Sequence, residues 1–244
     1  MALDQARTLG PAVPSWLSAV GRRAARDSAP ELERYAFRQP PGDRASAVLV
    51  LFGAGADGPD LLFLQRSGEL RDHPGQVCFP GGSVRRDDHD AVHTALREVA
   101  EETGLDPAAV CVVTPLRPLY VAWSGFAVTP VLGWWDGEGD LAGDGSEIVS
   151  VHRVPVRDLA DPTGRLRLRF PAGYVGPGFV TGNLFVWGFT ASIVAWLLRL
   201  AGWERPWDTG RVDTPEAVAA ACDMEADEIR TIARELAAAE TAAV

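Results

Sequence analysis

Residues 79–105 read Phe-Pro-Gly-Gly-Ser-Val-Arg-Arg-Asp-Asp-His-Asp-Ala-Val-His-Thr-Ala-Leu-Arg-Glu-Val-Ala-Glu-Glu-Thr-Gly-Leu. The proline fixes its own φ, and the two glycines tolerate close approaches that side chains prevent. Asp87 or Asp88 is expected to cap a helix, with Asp90 adding negative charge to its first turn. Gly104 follows the last periodic residue, where a left-handed C-cap would lie. The stretch therefore predicts a glycine turn, a helix and a stop.

The predicted helix has an apolar stripe with acidic residues beside it. At about 100° per residue, the stripe consists of Val92, Leu96, Val99 and Thr103. Glu98 and Glu102 lie one turn apart and border this stripe instead of lying opposite it. Glu101 lies further round, and Arg97 is its i,i+4 neighbour, so an ion pair is expected to hold the Glu101 carboxylate in place.

Three glutamates within five residues repel one another unless a cation lies between them. Acidic clusters on helices are usually solvated faces, and Glu98, Glu101 and Glu102 alone do not establish a metal site. The Pro-Gly-Gly turn before the helix and the ordered run from Arg97 to Gly104 favour the alternative. That alternative is a divalent cation held by carboxylate oxygens.

The run from Arg97 to Gly104 resembles the Nudix hydrolase signature, whose Arg-Glu-x-x-Glu-Glu-x-Gly block it matches. The spacing back to the glycine pair is one residue longer than in the general Nudix pattern, and Asp88 stands where that pattern usually has glutamate. The resemblance covers about residues 47–200. It implies an α/β fold of the Nudix type, which is an α/β/α sandwich with a mixed β-sheet.

The residues before the glycine turn indicate one branch of this family. Ser67, Arg71 and Gly75 are spaced four apart and precede the Phe-Pro-Gly-Gly turn. This pattern is similar to that of the coenzyme A diphosphatase branch of the family, which carries the same longer spacer. There are two departures, because Leu64 stands where the branch usually has threonine and Arg85 where it usually has aspartate. They bear on the substrate more than on the fold.

The resemblance implies roles for individual residues. Mg²⁺ or Mn²⁺ would be held by Glu98 and Glu102, with Glu101 assisting. Backbone groups around Gly81 and Gly82 would approach the metal or the substrate phosphates, because no side chains intervene. The metal would offset the negative charge that makes a diphosphate resistant to attack.

Four more residues take part in the predicted site. Glu147 matches a glutamate that the branch has before a strand ending in Val-Pro-Leu. By this resemblance Glu147 either supports the metal-binding residues or acts as general base, a role for which Glu98 is the other candidate. Arg97 is counted among the catalytic residues, together with Glu98, Glu101 and Glu147. Arg66 and Arg71 precede the glycines, and each is either a surface residue in a salt bridge or a contact to substrate phosphate. The branch motif favours the phosphate contact for Arg71.

The composition excludes some classes of function. With 244 residues and a formal net charge of −10, the chain lacks the basic footprint of a general nucleic-acid-binding surface. The negative net charge does not exclude a polyanionic small molecule as substrate. A metal ion and a few arginines can make the electrostatic potential positive inside a cleft. The apolar run 184–200 is too short and too mixed for a membrane span and is expected to be a buried helix. We expect neither a nucleic-acid nor a membrane partner.

The number and spacing of the three cysteines indicate the cellular compartment of the protein. Cys78, Cys111 and Cys222 are widely separated and odd in number, which suits reduced thiols, and each is expected to be a small packed residue. The N-terminus lacks the basic and apolar regions of a signal peptide. We therefore expect a cytoplasmic protein.

We predict three segments along the chain. Residues 1–45 form an N-terminal extension with a helix from Pro14 to Ala25, residues 46–200 the Nudix domain, and residues 201–244 a helical C-terminal extension in which Thr214 caps a helix. Strands are predicted at 47–52, 60–65, 110–115, 119–123, 126–134, 147–155 and 166–170, and the segment 179–185 leads into a helix from 186 to 200.

The resemblance implies metal-dependent hydrolysis of coenzyme A or an acyl derivative, giving 4′-phosphopantetheine or its acyl form and adenosine 3′,5′-bisphosphate. One alternative is hydrolysis of another diphosphate, such as ADP-ribose, NADH or a nucleoside triphosphate. A second is a nucleotide-binding sensor without catalysis, against which the intact set of Glu98, Glu101 and Glu102 argues. A homodimer is expected by family analogy only.

Overall fold

The computed structural model describes residues 12–35, 44–70, 75–121, 124–170, 173–215 and 217–218. Their helices are α1 (Ser15–Ala24), α2 (Ala91–Thr103), α3 (Val156–Leu159) and α4 (Gly188–Ala201), with 3-10 turns at Pro30–Tyr35 and Pro107–Ala109. Their strands are β1 (Ala45–Gly55), β2 (Gly58–Arg66), β3 (Val77–Cys78), β4 (Gly81–Ser83), β5 (Cys111–Pro115), β6 (Leu119–Val121), β7 (Phe126–Trp135), β8 (Ile148–Pro155), β9 (Arg165–Arg169), β10 (Val175–Thr181), β11 (Leu184–Trp187) and β12 (Val212–Asp213).

Eight of these strands form one mixed sheet. Its order is β3-β2-β1-β7-β5, with β4 paired to β1, β6 to β7 and β8 to β2. β1 and β7 are parallel, from Ala45 opposite Ala127 to Gly53 opposite Trp135. The other described pairings of this sheet are antiparallel. β1 pairs with β4 near its beginning and with β2 near its end, so the glycine turn runs along the middle of the sheet.

The side chains of β1 show why helices cover both faces of the sheet. Successive side chains of a strand point to opposite faces. Leu49 and Leu51 pack in one buried cluster with Val99 of α2. Val50 and Phe52 belong to a second cluster, which contains the buried residues of α1 and α4. The predicted α/β/α sandwich with a mixed sheet is thereby confirmed.

A second, smaller sheet has the order β11-β10-β9-β12. The helix that the sequence predicted from Val186 begins at Gly188 instead, because residues 184–187 pair with β10 as a strand. In the predicted strand β9 the two leucines are buried, whereas Arg167 and Arg169 are exposed, so the arginines lie on one face.

The N-terminal helix packs into the core of the large sheet. Leu17 and Leu32 are buried in the cluster that contains α4. Arg199 of α4 donates hydrogen bonds to Asp27 at 2.6 Å and to Glu31 at 2.5 Å, which ties the two parts of the chain together. The division of the chain into residues 1–45, 46–200 and 201–244 stays a prediction.

The last described residues begin the predicted C-terminal helix. Thr214 Oγ1 accepts a hydrogen bond from the backbone N–H of Ala217 at 3.3 Å, as expected of an N-cap. Residues 219–244 lie outside the described part of the chain. None of the helices described above is both long enough and apolar enough to cross a membrane.

Candidate active site

α2 begins directly after Asp90 and ends before Gly104. Asp90 has an extended backbone, and its side chain accepts a hydrogen bond from the N–H of His93 at 2.8 Å. The prediction that one of the preceding aspartates caps the helix is wrong, because Asp88 is bound by Arg97 instead. Gly104 has a φ of 74° and closes the helix in the left-handed conformation that the sequence predicted.

The glycine turn fits between β1 and α2 because Gly81 and Gly82 lack side chains. A β-carbon on Gly81 would lie 2.7 Å from Val48 Cα of β1. A β-carbon on Gly82 would lie 2.5 Å from Glu98 Oε1 of α2. The sequence therefore places backbone, without intervening atoms, directly against a carboxylate of the signature.

Glu102 is the most buried carboxylate of the signature, with 9% of the residue exposed. Its Oε2 accepts a hydrogen bond from the backbone N–H of Gly81 at 2.9 Å. Burial raises the pKa of Glu102 to about 8, against the lowering effect of this hydrogen bond. The negative charges of Glu98 and Glu147 raise it further. Glu102 is therefore held in a buried place where its negative charge is poorly compensated.

Arg97 connects Glu98 to the loop before the helix. Its Nε and Nη2 donate to the two carboxylate oxygens of Asp88 at 3.0 and 2.9 Å, and its Nη1 donates to Glu98 Oε1 at 2.7 Å. The Asp88 side chain is 1% exposed. The hydrogen bonds from Arg97, above all, hold the pKa of the Asp88 carboxyl well below its usual range. Asp88 thus holds the guanidinium of Arg97 in position, and Arg97 in turn holds the carboxylate of Glu98.

Glu101 is bound by two guanidinium groups. Arg85 donates to its two oxygens at 2.6 and 2.8 Å, and Arg97 donates to Oε2 at 3.2 Å. The predicted pair between Arg97 and Glu101 is therefore confirmed. Within the residues that the structure describes, no three histidine, cysteine or acidic side chains are grouped around one point, so the geometry groups Glu101 with Arg85 and Arg97 and not with the other two glutamates. The metal role of Glu101 stays a prediction.

The residues present fit a divalent cation of the Mg²⁺ or Mn²⁺ type. Glu98 and Glu102 both approach the glycine turn, and their carboxylate oxygens are the donors that these ions prefer. The raised pKa of Glu102 shows that its negative charge is not neutralised by the surrounding protein groups. A cation between Glu98 and Glu102 would supply that missing positive charge.

Pairing of β2 with β8 brings Arg66 and Glu147 to the same place. Arg66 Nη2 lies 3.9 Å from Glu147 Oε2, and the Glu147 side chain is 62% exposed. The Nε of Arg66 is buried and has no hydrogen-bond partner among the described residues. Glu147 raises and Arg66 lowers the pKa of Glu102, so both lie within electrostatic reach of the carboxylate cluster.

Cys78 is a neighbour of the site that the sequence pattern did not indicate. Burial raises the pKa of its thiol to about 12, with the negative charge of Glu102 acting in the same direction and Arg66 opposing it. The thiol therefore stays protonated at neutral pH and acts as a packed group. Its position directly before the Phe-Pro-Gly-Gly turn is the signal that could have revealed this proximity.

Arg71 lies outside the described residues, so its predicted phosphate contact stays a prediction. Backbone hydrogen bonds join the described residues on either side of this loop segment. The N–H of Gly75 donates to the carbonyl of Ser67 at 3.3 Å, and that of Arg66 donates to Gln76 at 2.9 Å. The N–H of Ser67 donates to the carbonyl of Glu147 at 2.8 Å. Ser67 therefore connects this loop to the residue before β8.

The comparison with known families agrees with this arrangement. The model of the NUDIX domain matches residues 42–176 of the 244. The chain belongs to the Nudix family. The protein named uncharacterized Nudix hydrolase NudL from Yersinia enterocolitica is 33% identical over 172 residues, which cover 67% of this chain and 87% of the relative. Its Yersinia pestis counterpart is 32% identical over 160 residues, covering 64% and 79%. This Nudix protein is a hydrolase of phosphoric anhydrides.

Solved structures resemble it at lower identity. The Nudix hydrolase RenU from Mycobacterium smegmatis is 16% identical, covers 67% of this chain and 89% of its own, and has a TM-score of 0.47. An ADP-ribose pyrophosphatase from Streptococcus suis is 20% identical, covers 70% of this chain and 100% of its own, and has a TM-score of 0.40. Nudix hydrolases generally use divalent metal ions such as Mg²⁺ or Mn²⁺.

Proposed function

We propose that this Nudix hydrolase cleaves the diphosphate of coenzyme A or an acyl-coenzyme A. The products are 4′-phosphopantetheine, or its acyl form, and adenosine 3′,5′-bisphosphate. The observation that carries the proposal is the motif from Ser67 to Gly82, which is similar to that of the coenzyme A diphosphatase branch. The motif begins beside Glu147 and ends at the turn that contacts Glu98 and Glu102, so its two ends border the carboxylate cluster.

Glu98 and Glu102 would hold Mg²⁺ or Mn²⁺, which would supply positive charge against the diphosphate and lower the pKa of a water molecule. The protein prepares both carboxylates for this role. Arg97 orients Glu98, and the N–H of Gly81 orients Glu102. Glu101 is the third proposed contributor, and in the structure both of its oxygens accept hydrogen bonds from Arg85.

The remaining chemistry is proposed for the protein's own side chains. A water that attacks phosphorus loses a proton while the bond from that phosphorus to the bridging oxygen breaks. Glu98 and Glu147 are the two proposed proton acceptors. Arg66 is proposed to bind a phosphate oxygen, because its buried Nε has an N–H without a partner among the described residues. Arg71 is proposed as a second phosphate contact on the motif alone.

A substrate panel tests the proposal. Coenzyme A, acetyl-coenzyme A, ADP-ribose, NADH and nucleoside triphosphates are incubated with Mg²⁺ or Mn²⁺ at mildly alkaline pH, and products are resolved by mass. Dephospho-coenzyme A is the matched control, since it lacks only the 3′-phosphate. We expect adenosine 3′,5′-bisphosphate to be released from coenzyme A with a kcat/KM well above that of the other substrates. Equal or faster cleavage of another diphosphate would contradict the assignment to coenzyme A.

A second candidate substrate class is favoured by the two departures from the branch motif. Leu64 replaces the usual threonine, and Arg85 replaces the usual aspartate, which reverses a charge. These changes keep ADP-ribose, NADH and nucleoside triphosphates as candidates for the same hydrolytic site. A sensor without catalysis would bind nucleotides in the panel and release no product. Homodimerisation stays a prediction from the family.

A further inference from the structure

Arg85 stands at a position where the coenzyme A diphosphatase branch usually has aspartate. It forms an ion pair with Glu101 of the signature. Its Nη1 and Nη2 lie 2.6 and 2.8 Å from the two oxygens of Glu101. An aspartate at position 85 would repel Glu101 instead of binding it. The ion pair with Glu101 therefore depends on the arginine that this chain has at position 85.

We infer that Arg85 competes with the divalent cation for Glu101 and thereby sets the metal concentration that the enzyme requires. The inference rests on the proposed metal site at Glu98 and Glu102. It assigns to Arg85 a positioning role, because this side chain acts on the site through Glu101.

The positions of the carboxylates support the competition. Nη1 of Arg97 donates to Glu98 at 2.7 Å and to Glu101 at 3.2 Å, so a single nitrogen bridges the two carboxylates. Glu98 and Glu101 are therefore neighbours on the same side of the helix, and a cation held by Glu98 would lie within electrostatic reach of Glu101. In the structure, the two oxygens of Glu101 are occupied by Arg85. A cation that uses Glu101 therefore competes with this guanidinium for the same two oxygens.

The exposure of the pair makes the contact breakable. The Arg85 and Glu101 side chains are 56% and 43% exposed, so water screens their attraction. Exposed ion pairs are weak and lose strength as salt is added. The effect of Arg85 on metal affinity is therefore expected to be modest at low ionic strength and smaller still at high ionic strength.

The test measures Mn²⁺ binding without substrate, by the loss of the electron paramagnetic resonance signal of free Mn²⁺. At low salt, Arg85→Ala is expected to lower the Kd for Mn²⁺ by about two- to fivefold, the range that an exposed ion pair supports. Arg86→Ala is the matched control, because it removes the same charge from an exposed neighbouring position. In a Glu101→Gln background, Arg85→Ala is expected to have no further effect, since the carboxylate for which Arg85 competes is gone.

The outcomes separate this inference from the proposed function. An unchanged or higher Kd in Arg85→Ala overturns the competition but leaves the metal site intact. An equal decrease in Kd in Arg86→Ala also overturns it, because the effect would then come from net charge alone. If the wild-type protein binds no Mn²⁺, the proposed metal site fails, and the inference fails with it. A difference that persists in the Glu101→Gln background shows that Arg85 acts through another group.

Discussion

The carboxylate of Glu102 accepts a hydrogen bond from the backbone N–H of Gly81 at 2.9 Å, across a sequence separation of 21 residues. This hydrogen bond joins the helix of the signature directly to its glycine turn. Both features were predicted from the sequence. Their contact depends on β4 pairing with β1, which brings the turn beneath the helix.

Replacing Glu102 with glutamine is expected to abolish turnover without unfolding the protein. The amide can still accept the hydrogen bond from Gly81, but it cannot supply the negative charge that a cation requires. We expect kcat to fall by about 100-fold or more, equivalent to about 2.7 kcal/mol in the activation barrier. Circular dichroism of the metal-free variant should match that of the wild-type protein, and urea unfolding should show no loss of stability, because the substitution removes a buried charge that is poorly compensated. Substantial remaining activity would argue against Glu102 as a metal ligand.

The two glycines of the turn are expected to fail in different ways. Alanine at position 82 places its β-carbon 2.5 Å from Glu98 Oε1, so the flexible carboxylate is displaced and activity falls while the fold survives. Alanine at position 81 meets the backbone of β1, 2.7 Å from Val48 Cα, where nothing yields easily. We expect Gly81→Ala to lose about 1–3 kcal/mol in the free energy of unfolding. Thermal unfolding and Mn²⁺ binding of both variants check the contrast. It is refuted if Gly82→Ala proves the less stable of the two.

Asp88 is expected to act on catalysis through Arg97. Asp88→Ala removes the bidentate partner of Arg97, so the contact from Arg97 to Glu98 is no longer fixed. Loss of a group that orients a metal ligand typically costs about 10- to 100-fold in metal affinity or activity, and we expect an effect in this range. Asp87→Ala, at an exposed neighbouring position, is the control and should change neither. Similar losses in both variants would show that general negative charge, not the anchoring of Arg97, is responsible.

The features that the sequence predicted best are those governed by local periodicity. The apolar stripe of α2 specifies one face of the helix, and on it Val99 is buried while Val92 and Leu96 are partly buried. Residues 184–187 were predicted less well, because a continuous apolar run has no period to separate strand from helix. Their identity as a strand depends on pairing with the preceding strand β10, which the apolar run by itself does not indicate.

The partners of charged side chains were harder to predict than the elements that carry them. Asp88 and Asp90 both have side chains that can cap a helix. Asp90 caps α2, because the carboxylate of Asp88 is bound by Arg97. Arg85 was noted as a departure from a motif, but its pairing with Glu101 depends on the path of the loop after β4. Such choices involve contacts between separate elements, which spacing alone does not determine.

Asp27 gives a prediction about stability and pH. Hydrogen bonds from Arg199, above all, lower the pKa of Asp27 from 3.8 to about 2 in the folded protein. Because the folded pKa is depressed, the stabilisation is present above pH 4 and is lost as the pH falls through about 2. We expect Asp27→Asn to reduce the free energy of unfolding by about 2 kcal/mol at pH 7, and by roughly half of that at pH 3.

Urea unfolding of the wild-type protein and Asp27→Asn between pH 7 and pH 2.5 measures this dependence. Asp57→Asn is the matched control, because Asp57 forms an exposed pair with Arg157 at 3.0 Å. Exposed pairs contribute at most about 1 kcal/mol, so this variant should differ little from the wild-type protein. A loss in Asp27→Asn that stays constant down to pH 3 would mean that packing of the side chain, not its charge, stabilises the junction between Asp27 and α4.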